Sequence, residues 1–295
     1  MKINAYILAA DPAWVEASLA SYYDIVDKII VSYDQEGRGW TGAPIDVDQC
    51  LARLRAIDSA GKMRFVPGHF ARPHHEPMAN DTFQRQCALQ QTAQDADWVL
   101  QLDTDEVLPD ARALLRVLQA TRPEVMGVEW PMRVLFRHLQ GTQFLEVCAQ
   151  DGRDRFEYPG PIAVRPHAVL KEARRCEGAI DRMVVVGDNQ SLQVRQRLAP
   201  GETRRELAEA AHAIVHNSWA RSPQSVRSKI ASWSHNEGWK SQLFFYLYWL
   251  PSPHTWKLLR NFHPVSPNLW PRLKPSGLEA ILSPDIRERI DHIVS

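Results

Sequence analysis

Trp98-Val99-Leu100-Gln101-Leu102-Asp103-Thr104-Asp105-Glu106 is an apolar run that breaks off in acid. Read as a buried strand, it delivers two carboxylates to the strand's end, where side chains at i and i+2 converge as the chain turns. Hard divalent cations take oxygen ligands, and Mg²⁺ or Mn²⁺ is usually held by one or two carboxylates plus water and substrate phosphate. The same acids also suit a solvated turn capping the helix that follows Pro109. What precedes the run favours the ligand site.

Upstream, strand and helix alternate. Residues 3–9 read as a buried strand, and Asp11-Pro12 supplies a cap and first-turn proline for a helix ending near Tyr23. Residues 27–33 form the next strand, closed by Asp34-Gln35-Glu36-Gly37-Arg38-Gly39, after which Val47, Cys50, Leu51, Leu54 and Ile57 recur at helical spacing. Residues 62–66 make a third strand, and Asn80-Asp81 cap a helix reaching about Gln94. This alternation predicts an α/β fold with a mostly parallel sheet flanked by helices, because parallel neighbours need crossover connections. Such sheets bind ligands at the carboxyl ends of their strands, the edge where Asp11, Asp34, Asp103 and Asp105 would gather. Beyond a helix at Ala111, Leu114, Leu115 and Leu118, residues 125–136, 144–148 and 162–170 read as mixed or antiparallel strands. A helix over 201–211 then leads into Ala213-Ile214-Val215-His216.

The stretch Asn80-Asp81-Thr82-Phe83-Gln84-Arg85-Gln86-Cys87-Ala88-Leu89, running on into the strand and its D-x-D, resembles the nucleotide-sugar glycosyltransferases of the GT-A (Rossmann-like) fold, family 2 type. The resemblance covers about residues 3–120. It implies a metal-dependent hexose transfer from a nucleotide diphosphate donor, UDP-sugar favoured, to a hydroxyl acceptor that is a glycan, a lipid-linked molecule or a small molecule. It further implies Mn²⁺ or Mg²⁺ on Asp105, Asp103 on the ribose or the same metal, Asp34 on the base or ribose, and Arg85 facing the diphosphate. Ala9, Asp11 and Thr104 complete the nucleotide-sugar pocket on this basis. Asp11-Pro12 stands where the family often has Asn-Glu, and Gln86 where Asn is common. The absence of Q-x-x-R-W and of any apolar run approaching a membrane span argues against a processive synthase.

His216 closes a short apolar run, and the resemblance implies that it is the third metal ligand, ahead of His212 and His235; His74-His75 reads as a solvated turn. An inverting, non-processive transfer needs a carboxylate to take the acceptor proton. Asp181 and Asp188 flank the strand around Met183-Val184-Val185-Val186 and are the candidates, Asp181 favoured.

Composition separates the last third from the rest. Lys+Arg and Asp+Glu both number 35, so the overall balance asks for no nucleic acid partner. Residues 221–274, however, carry eight Lys/Arg against the single Glu237, with ten aromatics that include Trp233, Trp239, Trp249, Trp256 and Trp270. Residues 1–220 therefore read as the transferase domain, with nucleotide-sugar and acceptor halves meeting near residue 120, and residues 221–295 as a basic, aromatic, helical extension. That extension suits either core packing against the sheet or peripheral contact with a membrane surface. The four cysteines are too scattered for a zinc site or a disulfide framework, and a reducing cytoplasmic compartment is expected, with the inner face of a membrane as its boundary. Two further readings compete. A haloacid-dehalogenase-like phosphatase would use Asp103 as phosphate acceptor and Asp105 as acid, with Val186-Gly187-Asp188 as its later acidic motif; a non-catalytic nucleotide-sugar-binding module would keep the fold without the chemistry.

Overall fold

The computed structural model describes residues 1–295 apart from 141–142, 208, 233–238, 265 and 295, so Trp233 and His235 lie outside the described residues. Strands β1 (Ile3–Leu8), β2 (Lys28–Asp34), β3 (Met63–Gly68) and β4 (Trp98–Leu100) alternate with helices α1 (Val15–Ala20), α2 (Val47–Ile57) and α3 (Pro77–Thr92), as the periodicity predicts. There follow β5 (Glu106–Val107), α4 (Ala111–Ala120), β6 (Val125–Glu129), β7 (Met132–Gln140), β8 (Gln143–Cys148) and β9 (Pro161–Val164). Next come β10 (Leu170–Lys171), β11 (Arg175–Cys176), β12 (Ala179–Val185), α5 (Leu192–Arg195), β13 (Glu202–Leu207) and β14 (Ile214–His216). The chain closes with α6 (Pro223–Ser232), α7 (Trp239–Phe244), α8 (Ser252–Thr255), β15 (Arg272–Pro275), α9 (Leu278–Ile281) and α10 (Pro284–Val294).

The main sheet runs β13-β12-β6-β9-β4-β1-β2-β3. Only β9 opposes its neighbours, lying antiparallel to both β4 and β6, so the sheet is mostly parallel with helices on its faces, the α/β class expected. All six residues of β1 are buried, as a strand covered on both faces requires. A second sheet, β15-β8-β7-β14-β5, stacks its own apolar side chains beside the first.

Three sequence expectations need correction. The helix expected over 201–211 is strand β13 and a 3₁₀ turn at Ala210–His212; β13 pairs in parallel with β12, and Glu202 meets Arg182 and Arg204 across that register. Glu-Thr-Arg-Arg-Glu-Leu has good local helix propensity, which the pairing overrides. Residues 125–136 are two strands in different sheets, and the switch falls at Pro131, which has no N–H to continue a ladder. Asn80 and Asp81 sit inside α3 rather than capping it, because Pro77 already sets the first turn. Their side chains serve tertiary contacts instead: Asn80 donates to the carbonyls of Trp40 and Arg72, and Asp81 accepts from Arg85.

The segment beyond residue 220 packs against the rest of the chain. Strand β15 extends the second sheet by pairing with β8, and Ile286 and Ile290 of α10 pack with Trp14 and Ala17 of the first helical layer. The aromatics divide. Phe244, Phe245, Trp249, Phe262 and Trp270 are buried around Phe136 and Trp219, which is the packing alternative. Trp239 (71% exposed), Leu243, Tyr246, Leu247 (57%), Tyr248, Leu250 and Leu258 (79%) face outward. Among the described residues no helix is long and apolar enough to cross a membrane.

Candidate active site

The turn after β4 brings its acids to the carboxyl edge of the parallel strands. Asp103 receives Arg85 Nη2 at 2.9 Å on Oδ1 and 3.1 Å on Oδ2, and Arg174 Nη2 also bonds Oδ2. Arg174 continues to Glu106, at 3.0 Å from Nη1 to Oε2 and 2.7 Å from Nη2 to Oε1, while Glu106 Oε2 accepts the Asp103 amide at 3.1 Å. Arg85 completes the lattice with Nε to Asp81 Oδ1 at 2.7 Å. Burial opposes ionisation of Asp103, but Arg174 and Arg85 outweigh it and hold the carboxyl below its ordinary range.

Asp105 belongs to a second cluster. Its Oδ2 is bonded by Arg221 Nη2, lies 3.5 Å from Lys229 Nζ and 3.6 Å from His216 Nε2. Arg221 Nη1 also pairs with Asp11 Oδ2, and Arg221 Nε donates to the Asn217 carbonyl at 3.1 Å. Strand β14 sets this geometry: His216 sits opposite Glu106 in the β14–β5 pair, and the Asn217 amide donates to the Asp105 carbonyl at 2.8 Å. Lys229 projects from α6, whose first turn Ser222 caps by accepting the Ser225 amide at 3.1 Å. The loop after β2 closes against the other end of α6. A Cβ on Gly39 would lie 2.8 Å from Ser232 Cβ, so only glycine permits that approach, and Thr41 Oγ1 donates to the Ala231 carbonyl at 2.8 Å.

Electrostatics follow the packing. Burial opposes ionisation of Asp105, yet Lys229 and His216 hold its carboxyl well below the usual range. Burial pulls His216 down, and Asp105 reverses this, leaving it raised. Burial and the adjacent Arg221 push Lys229 down to about 8, and burial lowers Arg221 to about 10.

The predicted residues fare unequally. Asp11, Asp103, Asp105 and His216 come together at one edge, with Thr104 buried between the two acids and Ala9 at the end of β1, its amide bonded to the Ser32 carbonyl. Asp34 is consumed locally: Oδ1 accepts the Glu36 and Arg38 amides, and Oδ2 those of Phe70 and Ala71, so it organises the loops after β2 and β3. Arg85 lies beneath Asp103 with a side chain 4% exposed, rather than lining an open face. Asp181 is not brought to the acids. Its partner Arg205 also contacts Thr121, the residue ending α4, which places Asp181 toward the opposite end of the sheet. Asp188 is saturated by Tyr158, Ser191 and the Gln190 amide, a turn role.

Sequence reading missed Arg174, Glu106, Arg221, Lys229 and Glu157. Glu157 pairs with Met132, itself the neighbour of Ile214 on β14, and its Oε1 accepts Trp270 Nε1 at 2.7 Å. Burial raises its pKa against the opposing Trp270 bond and the nearby charge of His216. The signal that pointed to Arg221 and Lys229 was the basic excess after residue 220, read as a surface property.

Mn²⁺ or Mg²⁺ does not fit this donor set. Both oxygens of Asp103 are engaged by arginines, and the Asp105 oxygen nearest His216 already carries Arg221 and Lys229. Among the described residues no group of three His, Cys, Asp or Glu side chains is arranged to hold a metal ion.

No family model matches the chain, and no curated protein matches it. It is similar to several solved structures. One is S. aureus TarS, at 12% identity and a TM-score of 0.32, covering 56% of this chain and 28% of that one. Another is 4-diphosphocytidyl-2C-methyl-D-erythritol synthase, at 14% identity and 0.33, covering 58% and 82%. A third is the galactosyltransferase LgtC in complex with donor and acceptor sugar analogues, at 15% identity and 0.35, covering 76% and 89%. The chain thus spans about 28% of the length of TarS.

Proposed function

We propose that this protein is a glycosyltransferase that moves a sugar from a nucleotide diphosphate donor, UDP-sugar favoured, to a hydroxyl acceptor, with inversion and without processivity. One observation carries the reading: Asp11, Asp103, Asp105, His216 and Lys229 converge at the carboxyl edge of the parallel strands, where such sheets take phosphorylated ligands. In the transfer, the acceptor oxygen bonds to the anomeric carbon as the bond to the diphosphate oxygen breaks. The acceptor's proton goes to a carboxylate, and the nucleoside diphosphate leaves with the bonding electrons. We assign the proton to Glu157, which bridges to Met132, the partner of Ile214 two residues before His216 on β14, and so lies on the strand pair that carries the histidine. The phosphatase alternative is disfavoured because Asp103 follows the fourth strand rather than the first, and Leu192 stands where a second acid would follow Asp188.

A thermal-shift panel of UDP, GDP, CDP and dTDP tests the reading, since a ligand of the native state raises its stability by mass action. One nucleoside diphosphate is expected to raise the melting temperature, and its sugar conjugate to be hydrolysed slowly. Phosphomonoester hydrolysis lost in Asp103→Asn, with no nucleotide protection, would favour the phosphatase instead.

The outward Trp239, Tyr246, Leu247 and Leu258, with the exposed cations Arg227, Lys240, Lys257 and Arg260 on the same segment, support peripheral contact with an anionic membrane and a lipid-linked acceptor. The protein is expected to cosediment with phosphatidylserine vesicles but not with pure phosphatidylcholine, and Leu247→Glu to weaken this. Equal recovery with both vesicles would remove the electrostatic part of the idea.

A further inference from the structure

Who supplies positive charge to a departing diphosphate is a question the two clusters answer differently. Arg85 and Arg174 have side chains 4% and 7% exposed and are locked beneath Asp103 and Glu106. Lys229 is the accessible cation of the second cluster, 17% exposed beside Asp105, with Arg221 behind it bridging Asp105 and Asp11. His216 and Asp11 are partly exposed, at 21% and 28%. The acids that would ligate a divalent ion are therefore already paired with fixed cations, and an added ion would have to displace a buried guanidinium.

We propose that Lys229, backed by the buried Arg221, binds the diphosphate in place of a divalent cation, so that donor binding by this protein is independent of metal. The inference rests on the transferase reading above. Lys229 can take the role by exchange: its Nζ donates to the Ser218 carbonyl at 2.9 Å, and its other contacts, Ser218 Oγ and Asp105 Oδ2, lie at 3.5 Å, where a phosphate oxygen can replace them. Arg221 stays paired with Asp11 when a ligand draws Lys229 from Asp105, so the carboxylates are never left bare. Charge-assisted bonds of this kind are the strong ones, and a phosphate held by preplaced cations needs no reorganisation during transfer.

Binding of UDP, GDP, CDP and dTDP to the full chain, followed by thermal shift and calorimetry in chelator and in Mn²⁺, decides the matter. The diphosphate that binds is expected to do so equally in both conditions. Lys229→Met is expected to weaken it about tenfold or more while leaving the matching nucleoside unaffected. Lys229→Arg should retain most of the affinity, which separates charge from packing. Protection seen only with Mn²⁺ overturns the proposal and leaves the transferase reading standing. Undiminished diphosphate affinity in Lys229→Met also overturns it. No protection by any nucleoside diphosphate, with or without metal, sinks both.

Discussion

Arg174→Met is expected to lower the free energy of unfolding by about 3–5 kcal/mol, the usual cost of removing one partner from a buried ion-pair network. Arg174 is the common partner of Asp103 and Glu106, and the Glu106 side chain is fully buried. Methionine fills most of the volume but leaves Glu106 with no cation and Asp103 with Arg85 alone. Glu106 must then either stay charged in a low-dielectric site or take up a proton, and both cost stability. Urea denaturation measures the change. The double variant Arg174→Met/Glu106→Gln should recover part of it, because a neutral amide is cheaper to bury than an unpaired carboxylate. A loss below about 1 kcal/mol, the range of exposed pairs, would show that the cluster is solvated and that the lattice under the acids is not a structural element.

The second large effect is on turnover. Asp105→Ala is expected to reduce kcat/KM for the donor found by the nucleotide panel by roughly 10²-fold or more, the scale seen when a preorganised electrostatic element is removed. Asp105 positions three groups at once: Arg221, Lys229 and His216 all face its Oδ2. Without it Lys229 loses the carboxylate that favours its charged form, while burial and Arg221 continue to oppose that form. The fold should survive, since Arg221 keeps Asp11 and its bond to the Asn217 carbonyl. Activity within tenfold of the native protein, in a variant that melts normally, would remove Asp105 from the working site.

Local physics made the first half of the chain legible. The buried run into Asp103 and Asp105, the α2 spacing of Val47, Cys50, Leu51 and Leu54, and the turn at Asp34 each state their structure within a few residues. His216 could be placed beside the acids only through a resemblance, and the structure sets it 3.6 Å from Asp105. The cations were a different problem. Arg174 reaches Asp103 across 71 residues and Arg221 reaches Asp105 across 116, and ion pairs at such separations leave no periodic trace. Asp181 and Asp188 could not be told apart for a related reason. Acids flanking a strand look alike until packing shows their partners, and here Asp181 meets Arg205 while Asp188 meets Tyr158 and Ser191.

The meeting of Asp11, Asp105, Arg221 and Lys229 imposes an order on biogenesis. A nascent chain emerging from the ribosome presents its carboxylates long before the guanidinium and ammonium groups that neutralise them. Until residues 221–229 have been made, Asp11 and Asp105 lack these partners. A product ending before Arg221 therefore keeps Asp11 and Asp105 but lacks both cations that pair with them in the whole protein.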